Sequence, residues 1–375
     1  MLRGHSTAEG ALRYRDRFPQ LRDALHFRQP NHVTGASDLW LSSIGLGTYL
    51  GEPDDATDAS YTQAIIAAVR SGINVLDSAI NYRHQRSERN IGAALTKLIE
   101  AGDCKRDEVF VSTKAGYLSF DGSLPADPRA YFMREYIEPG ILDPKGLAGG
   151  MHCIAPEFLD NQIQRSRRNL GLETVDLFYL HNPESQLGDV TREVFYERVQ
   201  GAFTLLEKKV QKGELRFYGM ATWNGFRVPD SANEYMNLFE IADLARQAGG
   251  DKHHFRFVQL PFNLAMPEAY ALSNQVADSQ RASLLDVAEA LGIAVMGSAT
   301  LFQGKLTHGL PEFVGRALGT SNDTESAIQF SRSAPGITTS LIGMATTDHV
   351  STNIATAAVK PTDRDSWANL FKQPR

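Results

Sequence analysis

Apolar positions along the chain alternate between two kinds of run. Short, nearly unbroken apolar stretches are followed by longer segments in which apolar residues recur every three or four positions. The first pattern suits a strand buried on both faces, the second a helix with one buried stripe. Strands are expected over residues 43–50, 73–79, 108–114, 175–181, 216–222, 257–263, 293–298 and 339–343. Helices are expected over residues 58–71, 87–100, 156–170, 193–212, 232–248, 283–291, 324–333 and 347–358. Gly72 stops the first of these helices just before the second strand. An alternation of this kind predicts a parallel sheet sheathed in helices. In a chain of 375 residues it predicts a closed α/β barrel of the (β/α)8, or TIM, type. An open dinucleotide-binding sheet would carry Gly-x-Gly-x-x-Gly after its first strand, and that motif is missing from the sequence.

Three regions lie outside the alternation. Residues 1–36 are polar and rich in arginine, and read as an N-terminal extension on the outside of the barrel or beneath it. Within it Arg13-Tyr-Arg-Asp-Arg17 reads as a solvated face. The barrel domain covers residues 37–360, and residues 361–375 form a C-terminal tail. Two connections, residues 116–155 and 301–322, are too long for plain loops. Both follow a strand, which places them on the C-terminal face, where barrels build their active sites. The first is an insertion carrying Tyr117, Phe120, Tyr131, Arg129, Arg134 and Lys145. It is expected to shape a substrate pocket, one suited to a sugar or an anionic carbonyl compound; the alternative is a partner contact or a lid with no direct substrate contact.

Composition narrows the partners. With 42% hydrophobic and 22% charged residues the chain is an ordinary globular one, able to bury a core without disulfide or metal staples. A net charge of -6 and no long basic run speak against nucleic acid. Cys104 and Cys153 lack CxxC or metal-like spacing and suit a reducing compartment. No apolar run approaches the roughly 20 residues needed to span a bilayer. The N-terminus lacks the apolar stretch of a signal peptide. A cytoplasmic protein with a small-molecule substrate and no membrane or metal is expected.

The candidate chemistry sits at strand ends. The second strand ends in Asp77, and Tyr82 follows on the loop behind it. The third ends in Lys114, the fourth in His181 and Asn182, and the sixth carries Gln259. Strand ends converge on a barrel mouth, so these groups are expected to face one another. A phenol is a poor acid near neutral pH, and a neighbouring ammonium lowers its pKa. A buried lysine needs a counter-ion, which Asp77 can supply. His181 can hydrogen-bond the oxygen that the phenol protonates. The set suits a reaction in which a carbonyl oxygen gains negative charge and then a proton.

On these residues the sequence resembles the aldo-keto reductases. The resemblance rests on Gly45-Leu-Gly-Thr-Tyr49, Gly72-Ile-Asn-Val-Leu-Asp-Ser-Ala79 with Tyr82, Ser87-Glu88, Val111-Ser-Thr-Lys114 and Asp176-Leu-Phe-Tyr-Leu-His181. It implies a catalytic set of Asp77, Tyr82, Lys114 and His181, with Tyr82 as general acid, and NADP(H) or NAD(H) lying across the barrel mouth. Gly47, Thr48, Tyr49, Asp77, Thr222, Gln259, Ser298, Gly343, Thr346, His349 and Asn353 are the implied cofactor contacts. Tyr49, Tyr82, His181 and Tyr117 are the expected substrate contacts.

Departures from the family pattern fall on the cofactor side. The usual Ser-Asn pair after the fifth strand reads Ala221-Thr222, and the aromatic expected in the seventh strand reads Gly297. The segment 343–353 has no Lys or Arg for a 2'-phosphate and carries Asp348. NAD(H) therefore stands beside NADP(H), with the Thr346-Thr347 helix start as a source of backbone N–H groups. Two alternatives to a carbonyl reductase remain at this level: a nicotinamide-binding regulatory subunit with little turnover, and a Schiff-base lyase using Lys114.

Overall fold

The structure is a computed structural model and describes residues 1–30, 32–277 and 280–372. Eight parallel strands close a barrel: β1 (Ile44–Gly47), β2 (Val75–Asp77), β3 (Phe110–Ala115), β4 (Val175–His181), β5 (Leu215–Ala221), β6 (Phe255–Pro261), β7 (Ala294–Ser298) and β8 (Ile337–Gly343). Each pairs with its sequence neighbours, and β8 returns to β1. Eight helices sheathe it: α1 (Asp55–Arg70), α2 (Arg86–Glu100), α3 (Pro156–Leu170), α4 (Arg192–Gln211), α5 (Leu238–Gly249), α6 (Leu284–Ala290), α7 (Asp323–Ser333) and α8 (Thr347–Ala357). This is the (β/α)8 barrel expected from the alternation. The boundaries of α3 and β4 agree with the periodicity to the residue. By contrast α5 starts six residues later than its apolar pattern suggests, where the Asn237 side chain accepts from the Phe239 N–H at 3.0 Å.

The barrel interior is filled rather than hollow. Val75, Phe110, Leu177, Tyr179, Phe217, Phe257 and Met296 pack with Val33, Ala36, Leu39 and Leu41 from the chain ahead of β1. That N-terminal segment is therefore the floor of the barrel. Its helix Ala8–Asp16 is capped by Thr7. The Tyr14 hydroxyl, fully buried, donates to the Val69 carbonyl at 2.6 Å. Arg13 bonds Asp107 at 2.6 Å and Glu108 at 2.7 Å, and Arg17 lies 4.7 Å over the Tyr14 ring. Arg13, Asp16 and Arg17 thus form the partly exposed face expected of this stretch, while Tyr14 turns inward. Polarity alone does not show that carboxylates and a ring are waiting opposite.

The insertion 116–155 folds on itself. It contains a helix, Pro128–Phe132, and a wider turn, Met133–Ile137. Phe120 stacks on Phe132 with centroids 4.8 Å apart, and Tyr136 is buried against Phe158 of α3. Its neck is closed by Tyr117 pairing with His152. Residues 361–372 of the tail pack on the barrel's outside, where Trp367 is fully buried and donates to the Phe330 carbonyl at 2.8 Å. The last three residues of the tail lie outside the described region. Among the described residues no helix is long and apolar enough to cross a membrane.

Candidate active site

At the mouth β2 ends on Asp77 and β3 carries Lys114 toward it. The Lys114 ammonium bonds the Asp77 carboxylate at 2.6 Å and the Ser78 carbonyl at 2.7 Å. The other carboxylate oxygen accepts from Ser112 Oγ at 2.7 Å and from Gln259 Nε2 at 2.9 Å. Both partners are almost wholly buried. Burial pulls the lysine's pKa down, but Asp77 and Tyr82 outweigh it and the net shift is upward. Lys114 is thus charged over the physiological range.

Tyr82 stands beside this pair, with the Lys114 ammonium 4.9 Å from its ring centroid. Burial raises the phenol's pKa, and the Lys114 charge pulls against that rise. The net direction is upward, so the lysine moderates the shift and does not reverse it. The loop that presents Tyr82 is held in an unusual conformation. Arg83, His84 and Gln85 all have positive φ, 48°, 55° and 70°. Left-handed residues other than glycine cost on the order of 1–3 kcal/mol each and persist where the surroundings impose them. Here the buried Arg83 guanidinium imposes it, donating to the Glu52 carbonyl at 2.9 Å, Asn90 at 2.8 Å and Asp58 at 2.6 Å. Thr48 closes the back of the site, its hydroxyl donating to the Asp77 carbonyl at 3.1 Å.

His181, the last residue of β4, lies edge-on to Tyr82 with centroids 5.7 Å apart and to Tyr117 at 5.3 Å. Burial first, then the Lys114 charge, holds its pKa well below the usual histidine value. The imidazole is therefore neutral, with one N–H to give. Its Nδ1 is buried without a hydrogen-bond partner among the described residues.

A cleft of about 980 Å³ opens over these groups. It is lined by Gly47, Thr48, Tyr49, Asp77, Tyr82, Tyr117, His181, Thr222, Gln259, Ser298, Gly343, His349 and Asn353. Lys114 sits behind this lining. Thr346 does not line the cleft: its side chain caps α8 through the His349 N–H at 3.2 Å. Gln259 lines the cleft, and its amide nitrogen also holds Asp77. Of the insertion, Tyr117 is the side chain that lines the cleft; Arg129, Arg134 and Lys145 are not in its walls. The anionic-substrate expectation built on them loses its basis.

Several lining residues were not singled out from the sequence. Asn81, Trp223, Phe302, Gln303 and Thr352 all reach the cleft, as does Asn182, which the strand ends had marked. A further one acts from below. The Glu184 carboxylate gathers the backbone N–H groups of Trp223 at 2.6 Å and Asn224 at 3.0 Å, fixing the turn after Thr222. Burial raises its pKa against those hydrogen bonds. Its one sequence signal is an acid three residues past the strand-end His181.

The residues fit a dinucleotide. The Thr222 hydroxyl is buried, lines the cleft and lacks a partner among the described residues. The cleft extends from Asp77 to the first turns of α8 at His349 and Asn353.

The fold is an eight-stranded parallel barrel whose mouth holds a buried acid–lysine pair, a phenol and a neutral imidazole beside one cleft. The chain belongs to the aldo/keto reductase family, whose family model matches residues 43–312. It is similar to the NADH-specific methylglyoxal reductase of Escherichia coli (strain K12), 26% identical over 216 residues, covering 55% of each chain. The chain thus matches about half the length of that curated relative. Among solved structures it is similar to a holo-form aldo-keto reductase from Bacillus halodurans, with a TM-score of 0.62, 18% identity and coverage of 92% of this chain and 95% of that one. An aldo/keto reductase from Klebsiella pneumoniae in complex with NADP and acetate matches with a TM-score of 0.59, 19% identity and coverage of 92% and 96%.

Proposed function

We propose that this protein reduces an aldehyde or ketone, or oxidises the corresponding alcohol, with a nicotinamide dinucleotide, and that Tyr82 is its general acid/base. The observation that carries the reading is the meeting of Asp77, Tyr82 and His181 at one cleft, with Lys114 behind its lining in a 2.6 Å ion pair to Asp77. When bound, the dinucleotide supplies or accepts the hydride. Thr222, Ser298, Gly343, His349 and Asn353 would hold it. In the reductive direction the neutral His181 donates a hydrogen bond to the substrate carbonyl and orients it. Tyr82 gives its hydroxyl proton to the carbonyl oxygen as that oxygen gains charge. The phenolate left behind is stabilised by Lys114, whose charge Asp77 retains, and it recovers a proton from solvent.

The charged state of Lys114 argues against the Schiff-base reading, which needs a free amine. The chemistry is tested with a carbonyl panel. Tyr82→Phe should lower turnover by a factor of about 10²–10⁴ while dinucleotide binding is retained. Full turnover in that variant sinks the assignment of the proton to Tyr82. A wild-type protein that binds dinucleotide and oxidises none of it on any carbonyl supports the regulatory-subunit reading instead.

We further infer that NAD(H) binds at least as well as NADP(H). No Lys or Arg lines the described cleft, and at the start of α8 the exposed Asp348 adds negative charge. The similar Escherichia coli reductase is named as NADH-specific. Titrating both dinucleotides against tryptophan fluorescence checks this, and a strong preference for NADP(H) overturns it.

A further inference from the structure

The insertion 116–155 is tied to the mouth at its neck, and the tie ends on His181. His152 is 1% exposed. Its Nε2 lies 2.7 Å from the His181 backbone carbonyl, and its Nδ1 lies 2.7 Å from the Gln186 side-chain amide nitrogen. A carbonyl only accepts and an amide nitrogen only donates, so one tautomer satisfies both: Nε2–H gives to His181 and Nδ1 accepts from Gln186. Gln186 is itself held by Arg198, which also donates to the Gly146 carbonyl of the insertion at 3.2 Å. The ring of Tyr117, across the neck, lies edge-on to His152 at 4.9 Å and to His181 at 5.3 Å.

The arrangement replaces a missing piece of sheet. The β3–β4 ladder ends at Ala115 opposite Leu180. One residue further, the His181 carbonyl has no strand to accept from, and the imidazole of His152 takes that place. The approach requires glycine at 116. A Cβ there would stand 2.5 Å from the His181 carbonyl oxygen and 2.7 Å from His152 Nε2. Meanwhile the His181 ring has no side-chain partner on Nδ1 among the described residues. Its orientation is set by its backbone and by the flanking tyrosine rings.

We propose that His152, through the carbonyl of His181, is a positioning residue for the active site, and that the insertion serves as a clamp on that histidine more than as a pocket wall. The proposal rests on the reading of His181 as the group that orients the carbonyl. A displacement of about 1 Å at such a group can cost about a hundredfold in rate. Loss of the clamp is therefore expected to fall on kcat and to leave the dinucleotide KM unchanged.

The test compares His152→Phe, which keeps a ring and removes the donor, with His152→Gln, which restores an N–H of similar reach. Gly116→Ala is the second route, since its Cβ forces His152 and the His181 carbonyl apart while the His152 side chain itself is kept. In His152→Phe and Gly116→Ala, kcat should fall tenfold or more while dinucleotide affinity by fluorescence stays within twofold. In His152→Gln most of the loss should be recovered. The histidine ¹⁵N spectrum supplies a readout independent of turnover: the His181 ring signals should shift or broaden in the first two variants and return in the third. Unchanged His181 signals with kcat within twofold in folded His152→Phe overturn the clamp, as does loss in His152→Gln equal to that in His152→Phe. If no carbonyl is turned over by the wild type while the His181 signals respond as stated, the reductase reading fails and the clamp stands.

Discussion

The barrel has a buried ion pair at each end, and the two pairs differ in what surrounds them. At the floor, Arg106 bonds Asp176 at 2.6 Å. Asp176 also accepts from the Ser6 N–H at 2.6 Å and the Val111 N–H at 2.9 Å, and the N-terminal segment covers it. At the mouth, Lys114 and Asp77 are equally close and equally buried. Their neighbours, however, line an open cleft, and His181 Nδ1 and the Thr222 hydroxyl have bonding capacity to spare. A buried pair covered by other parts of the chain fastens chain to chain, even though Arg106 Nε and the Ser6 hydroxyl beside it have no partner among the described residues. One ringed by unfilled donors and acceptors is poised for a ligand.

The sharpest way to break this contrast is at the floor. Asp176→Ala leaves Arg106 buried without its counter-ion and two N–H groups unpaired. It should cost about 3–5 kcal/mol in denaturant unfolding, while turnover per folded molecule stays within twofold. At the mouth, Asp77→Asn keeps the hydrogen bonds from Ser112 and Gln259 but removes the lysine's charge partner. It should cost less stability and lower turnover about a hundredfold, equivalent to ~2.7 kcal/mol in the transition state. Equal stability losses at both ends, or an active Asp77→Asn, would erase the distinction. A smaller effect is expected beside α8: Asp348→Arg should improve NADP(H) binding about tenfold and leave NAD(H) nearly unchanged, measured by fluorescence titration.

A last effect is in pH. Burial holds the pKa of His26, His152 and His181 below the usual value, His152 at about 4. In the unfolded chain these rings take up protons near pH 6.5, and in the folded protein only at lower pH. The folded state is therefore favoured above about 6.5, and its stability declines as pH falls from there toward 4. Thermal midpoints across that window should drop, and His152→Phe should flatten the decline. Turnover should show no loss from protonation of His181 near pH 6.

Much of this was legible in the chain itself. The second strand announces Asp77 by ending an apolar run in an acid, and Lys114 and His181 close the next two strands in the same way. Because parallel strands deliver their last residues to one face, reading the ends also reads the site. The same reasoning cannot tell what each polar group is already bonded to. Gln259, expected on the cofactor, lines the cleft and also holds Asp77 through its amide nitrogen, and the Thr346 side chain, expected on the cofactor too, caps a helix. Tyr14 is fully buried and donates to the Val69 carbonyl although its sequence neighbours are charged. His152 touches the backbone of His181 across 29 residues of sequence, and no local pattern marks it.

The sequence by itself determined the barrel, its eightfold alternation and the acid, phenol, lysine and imidazole at its mouth, because periodicity and strand ends are properties of neighbouring residues. Only the tertiary structure decided which polar atoms are satisfied and which remain open. Hydrogen-bond satisfaction is settled by partners far away in the chain, brought together when the neck of the insertion closes and the N-terminal segment seals the floor.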